Sequence, residues 1–175
     1  MGDLDSYPYT PFIEHWDGIR WTRQDVAGAP VGTYFFSVDA ASASDVWAAG
    51  VTRDDTGSSS ALAHFDGTAW TYTPAAPPRH DDEWLSDVTV VGPSDVWVVG
   101  SQGGAVEPDT VLTEHWNGRR WAVVDAPGRS KSRDALYGVT ALGSDDLLAV
   151  GAYEVHDKSR ALAERWDGSA WHLVP

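Results

Sequence analysis

Hydrophobic and polar residues alternate along this chain in short runs that turn-forming residues separate. Residues 84–127 read WLSDVTVVG, the turn residues PSD, DVWVVGS with a polar loop, TVLTEHW, the dipeptide NG, and RRWAVVD. Alternation with a period of two over such lengths predicts β-strands, and Asn-Gly or Asp-Gly between two runs predicts a tight hairpin. This segment therefore predicts four short antiparallel strands.

The same pattern recurs along the whole chain. The phrase WDGIRW at 16–21 returns as FDGTAW, WNGRRW and WDGSAW, and its first aromatic residues are separated by 49, 51 and 50 positions. A second phrase, DVWAAG at 45–50, returns as DVWVVG and DLLAVG at intervals of 50 and 51. Because two different phrases keep one period, the chain is a repeat of one structural unit.

Four strands in each repeat of this period are typical of a β-propeller blade. We therefore predict an all-β protein with about fourteen strands, in three complete four-stranded blades and one extra N-terminal hairpin, within a single domain over residues 1–175. The predicted hairpin covers 11–25, and the blades cover about 33–75, 84–126 and 135–175. The strands of the first blade are predicted at about 36–46, 46–52, 60–66 and 70–74, and the second strand of the middle blade ends at Gly100.

The order DVWVVG followed by TEHWNGRRW resembles the kelch-type repeat of β-propellers. In that repeat the second strand ends in two glycines, the third carries an aromatic residue and the fourth begins with tryptophan. The resemblance covers about residues 12–175, and the DGxxW turn is also faintly similar to the Asp-box turn of sialidase propellers. The resemblance implies a propeller scaffold, and because kelch-like propellers include protein-binding scaffolds and some oxidases, it selects no function.

Tryptophans and polar residues at repeated positions are expected to be structural. Nine of the ten tryptophans recur with the repeat and predict packing between blades, whereas Trp84 has no tryptophan counterpart. Histidine precedes the first aromatic residue of the phrase in three copies, and glutamate lies one residue earlier in three. Neighbouring strand residues point to opposite faces, so these residues predict no catalytic pair. The aspartates that open the second strands are expected to accept backbone N–H bonds in turns. The repeated glutamates, histidines and aspartates of these phrases are Glu14, His15, His64, Glu114, His115, Glu164, Asp45, Asp95 and Asp146.

Charge and composition exclude several classes of function. The net charge of −14 disfavours binding to nucleic acid and to anionic membrane surfaces. The chain has no cysteine, so a disulfide framework, a thiolate nucleophile and a cysteine-ligated zinc site are all absent. No apolar run is long enough to span a bilayer, and the segment MGDLDSYPYTPF does not resemble a signal peptide. We expect a soluble protein, and a cytoplasmic location is favoured over secretion.

Candidate ligand-binding residues lie on segments that differ between repeats. The connections at 52–60, 74–84, 101–110, 126–135 and 153–160 are predicted to be long loops on one rim of the propeller. Binding residues are frequent on loops that a rigid scaffold holds. The candidate ligand-binding residues on or near this rim are Tyr34, His80, Trp84, Tyr153 and His156.

The charged segment RHDDEW at 79–84 suggests a weak cation site. Asp81, Asp82 and Glu83 would supply oxygen ligands for a divalent cation, with help from His80 and from His156 and Asp157 of another loop. The spacing matches neither an EF-hand nor a zinc motif. A solvated acidic loop without a bound ion is the alternative, and we predict no other cofactor.

Three functional hypotheses remain open. The first is a non-enzymatic binding module that presents its rim to a protein segment, a glycan or a small metabolite. The second is an enzyme, either a lyase, a cyclase or a hydrolase, whose acid and base groups come from the rim residues. The third is a purely structural component of an assembly. The candidate catalytic residues under the enzymatic hypothesis are His80, Asp81, Asp82, Tyr34, Tyr153 and His156.

The number of blades predicts an assembly. Closed propellers typically contain four to eight blades, and this chain supplies three with one hairpin. An open arc would leave two apolar blade faces in water. We therefore predict a twofold homodimer that forms one ring-like body, in which the Trp16–Trp21 hairpin contacts the terminal blade of the partner.

Overall fold

The computed structural model describes residues 10–104, 109–129 and 133–175, which form fourteen β-strands and no helix. This part of the chain therefore includes no helix that is long and apolar enough to cross a membrane. The strands are β1 (Phe12–Trp16), β2 (Trp21–Ala27), β3 (Thr33–Ser42), β4 (Asp45–Asp54), β5 (Gly57–Phe65), β6 (Trp70–Thr73), β7 (Asp82–Gly92), β8 (Asp95–Gly103), β9 (Thr110–Trp116), β10 (Trp121–Val123), β11 (Asp134–Gly143), β12 (Asp146–Val155), β13 (Lys158–Trp166) and β14 (Trp171–Leu173).

The strands form three propeller-type blades and one additional hairpin, as the sequence predicts. Blade 1 is β3–β6, blade 2 is β7–β10 and blade 3 is β11–β14, each with antiparallel neighbours. The N-terminal hairpin β1–β2 extends the sheet of blade 1, because β2 pairs in parallel with β6 at Val26–Trp70 and Ala27–Thr71. The strand order of this six-stranded sheet is β1-β2-β6-β5-β4-β3.

The repeated glycine of the second strand does not end that strand. β4 begins at Asp45, and it continues past Gly50. The prediction of one strand over 36–46 was also wrong, because β3 ends at Ser42 before a turn. A Cβ at Gly50 would lie 1.8 Å from the carbonyl oxygen of Tyr34, next to a bulge in β3. Glycine is therefore needed here for close approach of two backbones, and Gly100 and Gly151 repeat the arrangement.

The repeated six-residue phrase forms a four-residue loop between two directly paired aromatic residues. Trp116 pairs with Trp121, and Gly118 has a positive φ of 85°. The predicted hairpin turn is confirmed, with the positive φ at the glycine alone, and the preceding Asn or Asp contributes through its side chain. Oδ1 of Asn117 accepts the backbone N–H of Arg119 at 3.1 Å and of Arg120 at 3.2 Å. Asp17, Asp66 and Asp167 make equivalent bonds in the other copies.

The core lies between the faces of successive blades. Trp47 and Leu62 of blade 1 pack in one cluster with Leu85, Val98 and Trp121 of blade 2. The N-terminal hairpin covers part of the other face of blade 1, where Ile13 and Val26 contact a cluster that contains Trp70. Blades 2 and 3 share a third cluster, which includes Trp97, Val99, Leu136, Leu147 and Trp171.

The prediction that repeated tryptophans pack between blades is confirmed at the internal junctions, and in the hairpin the two tryptophans have no neighbouring blade among the described residues. Trp16 and Trp21 are 47% and 64% exposed. Their ring centroids lie 5.7 Å apart, so they contact each other. The repeat therefore places an aromatic side chain where it can pack against a blade. The side chain is buried only if a neighbouring blade is present.

Polar side chains on the first strands connect the blades near their inner edges. Oδ2 of Asp39 accepts the backbone N–H of Val90 at 2.7 Å, and Oδ2 of Asp87 accepts that of Val139 at 2.8 Å. The hydroxyl of Ser37 donates to the carboxylate of Asp87. Blades 1 and 2 thus each bind the first strand of the following blade through a carboxylate.

Candidate functional site

The repeated histidines and aspartates form a structural unit within blades 1 and 2. The His115 ring stacks on Trp97 at 4.3 Å, and Oδ1 of Asp95 accepts bonds from Nε2 of His115 at 2.9 Å and from Nε1 of Trp97 at 3.0 Å. His64, Trp47 and Asp45 repeat the stacking and the histidine–aspartate bond. The prediction that these aspartates accept backbone N–H bonds in turns was wrong, because they accept bonds from side chains of the strands.

Blade 3 keeps the aspartate and changes its partners. Asp146 binds Arg165 through two bonds of 2.8 Å, where the other blades have histidine. Leu148 replaces the tryptophan. The terminal blade therefore presents a leucine and a guanidinium group at the position where the inner blades carry a stacked pair of rings.

The glutamates that precede the histidines are buried between blades. Glu114 and Glu164 are both 0% exposed, and each accepts a backbone N–H at 2.8 Å from the preceding inter-blade linker, Ala76 for Glu114 and Gly128 for Glu164. His115 stacks on Trp97, which packs toward blade 3, whereas Glu114 faces the linker from blade 1. The two neighbouring residues thus point to opposite faces, as predicted.

Burial changes the ionisation of these glutamates. It raises the pKa of Glu114 to about 7, and the negative charge of Glu83 acts in the same direction. Burial also raises the pKa of Glu164 to about 6, with a further contribution from Asp134. Because solvent does not reach either carboxyl group, these residues link the blades and form no accessible catalytic pair.

Trp84 lies at the junction of blades 1 and 2, where its ring contacts blade 1. It stacks on Phe36 with a centroid distance of 5.4 Å and an interplanar angle of 6°. The guanidinium carbon of Arg53 lies 4.4 Å from the centroid of the Trp84 ring. These contacts hold the indole at the junction of the two blades. The ring therefore has a structural role, whether or not it also binds a ligand.

The predicted ligand-binding residues line separate concavities. Trp84 borders a pocket of about 250 Å³ with Asp82 and Gln102. Tyr34 borders a second concavity of about 230 Å³ beside Phe12, and Tyr153 borders a third of about 110 Å³. His80 is half-buried in the linker before β7, and His156 is exposed in the β12–β13 turn with a positive φ of 50°. Tyr34, Trp84 and Tyr153 thus border three different concavities.

The acidic segment before Trp84 is divided between surface and core. Oδ1 of Asp82 accepts the backbone N–H of Ser58 at 2.8 Å. Glu83 is buried and accepts the Ser60 hydroxyl at 3.2 Å and the Arg79 N–H at 3.1 Å, while Asp81 stays exposed. In the described ranges, no group of three or more carboxylate or histidine side chains is placed to hold a metal ion.

Two of the predicted rim loops are short turns. Most of 52–60 belongs to β4 and β5, and most of 153–160 belongs to β12 and β13. The predictions for 101–110 and 126–135 fall partly on 105–108 and 130–132, which lie outside the described residues. The linker before β7 is the predicted loop that borders a further, open concavity.

That concavity is an open groove of about 710 Å³ on the outer edge of blades 1 and 2. The β6–β7 linker forms one wall, and the β9–β10 hairpin forms the other. Arg79, Arg119 and Arg120 line it together with Trp116 and Trp121. This groove was not predicted from the sequence, although the dipeptide Arg119–Arg120 in an acidic chain was a signal for it.

The groove exposes the edge of a sheet. β10 is the outermost strand of blade 2, and it pairs with β9 alone among the described strands. Ala122 lies opposite His115, and the N–H of Val124 donates to the carbonyl oxygen of Thr113 at 2.9 Å. Because backbone groups alternate along an antiparallel strand, the N–H and C=O of Trp121 and Val123 point toward the groove.

Comparison with known proteins identifies no family. No family model matches the chain, and no curated protein matches it either. Function is therefore inferred from the geometry of the groove and of the blade faces.

Proposed function

We propose that this protein is a non-enzymatic interaction module that binds an extended acidic segment of another protein along β10. The observation that carries the proposal is the groove of about 710 Å³, in which an open strand edge lies beside three arginines. An extended peptide adds to such an edge through backbone hydrogen bonds, and side-chain pockets then select its sequence. The partly exposed ring of Trp116 would receive an apolar side chain of the peptide.

The chain already adds a strand at the equivalent edge of blade 1. There, β2 pairs in parallel with β6, the counterpart of β10, and Val26 lies opposite Trp70. Oε1 of Gln24 also accepts the Trp70 indole N–H at 2.9 Å. In blade 2 the corresponding segment is the linker after β6, which lines the groove but forms no strand pair with β10 among the described strands. The fold of this protein thus accommodates an added strand at this edge.

The charge of the groove selects an acidic partner. Arg119 and Arg120 have no ion-pair partner within residues 10–104, 109–129 and 133–175. Arg79 pairs with Asp125 at 2.6 Å through side chains that are 50% and 89% exposed, and such exposed pairs are weak. The net charge of −14 repels an acidic peptide from most of the remaining surface.

Fluorescence anisotropy with a labelled peptide of alternating Glu and Val tests the proposal. We expect saturable binding that falls at high salt, and the double substitution Arg119→Glu, Arg120→Glu should weaken it by about tenfold or more, which corresponds to about 1.4 kcal/mol. Arg20→Glu is the matched control, because Arg20 occupies the same turn position in the N-terminal hairpin and pairs with Asp17. Equal binding of a Lys-Val peptide, or full binding by the double variant, would contradict the proposal.

We also assign the repeat to a kelch-like type. Its support is the strand order in each blade, with a glycine within the second strand, an aromatic residue that ends the third and a tryptophan that begins the fourth. Gly100, Trp116 and Trp121 illustrate the pattern in blade 2. A crystal structure of the assembled protein with its blades arranged around one axis would test this assignment.

A further inference from the structure

Equivalent residues on one face of the blades differ in exposure. Trp47 of blade 1 and Trp97 of blade 2 are 3% and 2% exposed, whereas Leu148 at the same position of blade 3 is 37% exposed. Two positions later, Val99 is fully buried and Val150 is 47% exposed. The face of blade 3 that carries Leu148 and Val150, here called the terminal face, therefore has no neighbour among the described residues.

The N-terminal hairpin shows the complementary difference. Trp70, Trp121 and Trp171 begin the fourth strands of the three blades, and each is 4% exposed. Trp21 begins the equivalent strand of the hairpin and is 64% exposed. The Trp16–Trp21 pair is thus the second surface that lacks a neighbour within the described part of the chain.

The two internal junctions show how such surfaces fit together. The Trp47 ring of blade 1 lies 5.5 Å from Trp116 and 5.3 Å from Trp121, which are the paired aromatics of the next hairpin. Trp97 contacts the corresponding pair of blade 3, at 4.8 Å from Trp166. In both junctions a second-strand side chain packs on the aromatic pair of the following unit. The terminal face and the Trp16–Trp21 pair carry the same two kinds of surface, one at each end of the described chain.

We propose that a second copy of this chain completes a third junction of this kind. Leu148 and Val150 of one copy would pack on Trp16 and Trp21 of the other, and the reciprocal contact would close a twofold dimer. Arg165 strengthens the fit, because its guanidinium replaces the histidine of the inner junctions and can cover an indole face.

A second copy of the chain is the partner that fits these surfaces, because each copy carries both halves of the contact. The terminal face belongs to the last sheet, and the aromatic pair belongs to the first. Two copies that meet head to tail at both ends satisfy all four exposed surfaces with two identical junctions. An unrelated partner would cover one surface and leave the other in water.

Sedimentation velocity of the intact chain tests the dimer. We expect a species of twice 18.9 kDa at micromolar concentration. Leu148→Arg and Trp21→Arg should each raise the dimer dissociation constant by about a hundredfold, since a buried apolar contact is replaced by a charge. Both side chains are exposed in one copy, so the circular dichroism spectrum should remain that of the folded chain, while loss of the partner lowers the melting temperature. Ile19→Arg is the control, because Ile19 is 86% exposed and its equivalents in all blades are also exposed.

Cross-linking tests which surfaces meet. The chain has no cysteine, so a disulfide forms only between introduced residues. A mixture of Leu148→Cys and Trp21→Cys chains should give a mixed disulfide, while Leu148→Cys alone should give none. A monomer, a ring larger than a dimer, or a dimer that resists both arginine substitutions would overturn the proposal. Loss of the dimer on Val38→Arg but not on Trp21→Arg would also overturn it, because Val38 lies on the first strand of blade 1.

Discussion

The backbone N–H of Ala76 donates a 2.8 Å hydrogen bond to the buried carboxyl group of Glu114, which joins the linker after blade 1 to the third strand of blade 2. Burial raises the pKa of this group from its ordinary value of 4.5 to about 7. The folded protein thus holds a proton on Glu114 at a pH where the unfolded chain has released it. The junction between blades is therefore sensitive to pH.

The stability that this proton contributes is expected to be present below about pH 4.5 and lost as the pH rises to about 7. Each pKa unit corresponds to about 1.4 kcal/mol, so the change is on the order of a few kcal/mol. Urea unfolding at pH 5 and pH 8 should show a smaller difference for Glu114→Gln than for the wild type. Glu14→Gln is the matched control, because Glu14 is exposed in the hairpin. An unchanged pH dependence in Glu114→Gln would be inconsistent with a buried, protonated carboxyl group.

Two tryptophans that differ in their surroundings should differ in their contribution to stability. Trp97 is 2% exposed, stacks on His115 and donates to Asp95, so Trp97→Ala should lower the free energy of unfolding by about 3–5 kcal/mol. Trp84 is half-buried and contacts Phe36, so Trp84→Ala should have a clearly smaller effect. Urea denaturation measures both values. Equal losses would show that Trp84 is as much a core residue as Trp97.

The glycines within the second strands should not tolerate a side chain. A Cβ at Gly100 would lie 1.8 Å from the carbonyl oxygen of Trp84, so Gly100→Ala should destabilise the protein by several kcal/mol or prevent folding. Gly92 ends β7, and a Cβ added there would meet no atom within 4 Å, so Gly92→Ala should be close to neutral. Comparison of the two melting temperatures checks the contrast, and similar values would refute the close approach of the strands.

The repeat predicted the blades because hairpin turns and aromatic positions are local properties of the sequence. Trp116 and Trp121 face each other across a turn whose geometry depends on Asn117 and Gly118, and all four residues are close together in the chain. Local patterns also placed Glu114 and His115 on opposite faces. The exposure of Trp21 was not predictable in this way, because it depends on whether a neighbouring blade is present.

The candidate site was harder to predict because it is built from distant segments. The groove joins Arg79 of one linker to Arg119 of a turn in the following blade, and periodicity does not show that these residues meet. Asp39 and Asp87 look like ordinary polar strand residues in the sequence, yet each bonds to the next blade. One wall of the groove is a predicted rim loop, the linker before β7, but the other wall is a short turn that the site prediction left out.

Amide hydrogen exchange of β10, followed residue by residue by NMR during titration with the Glu-Val peptide, tests the proposed strand addition most directly. The N–H groups of Trp121 and Val123 point toward the groove, whereas Val124 already donates to Thr113. We predict that saturating peptide slows exchange at Trp121 and Val123 and leaves Val124 unchanged. Unchanged exchange at Trp121 and Val123 under saturating peptide would contradict the central claim that this edge binds an extended partner.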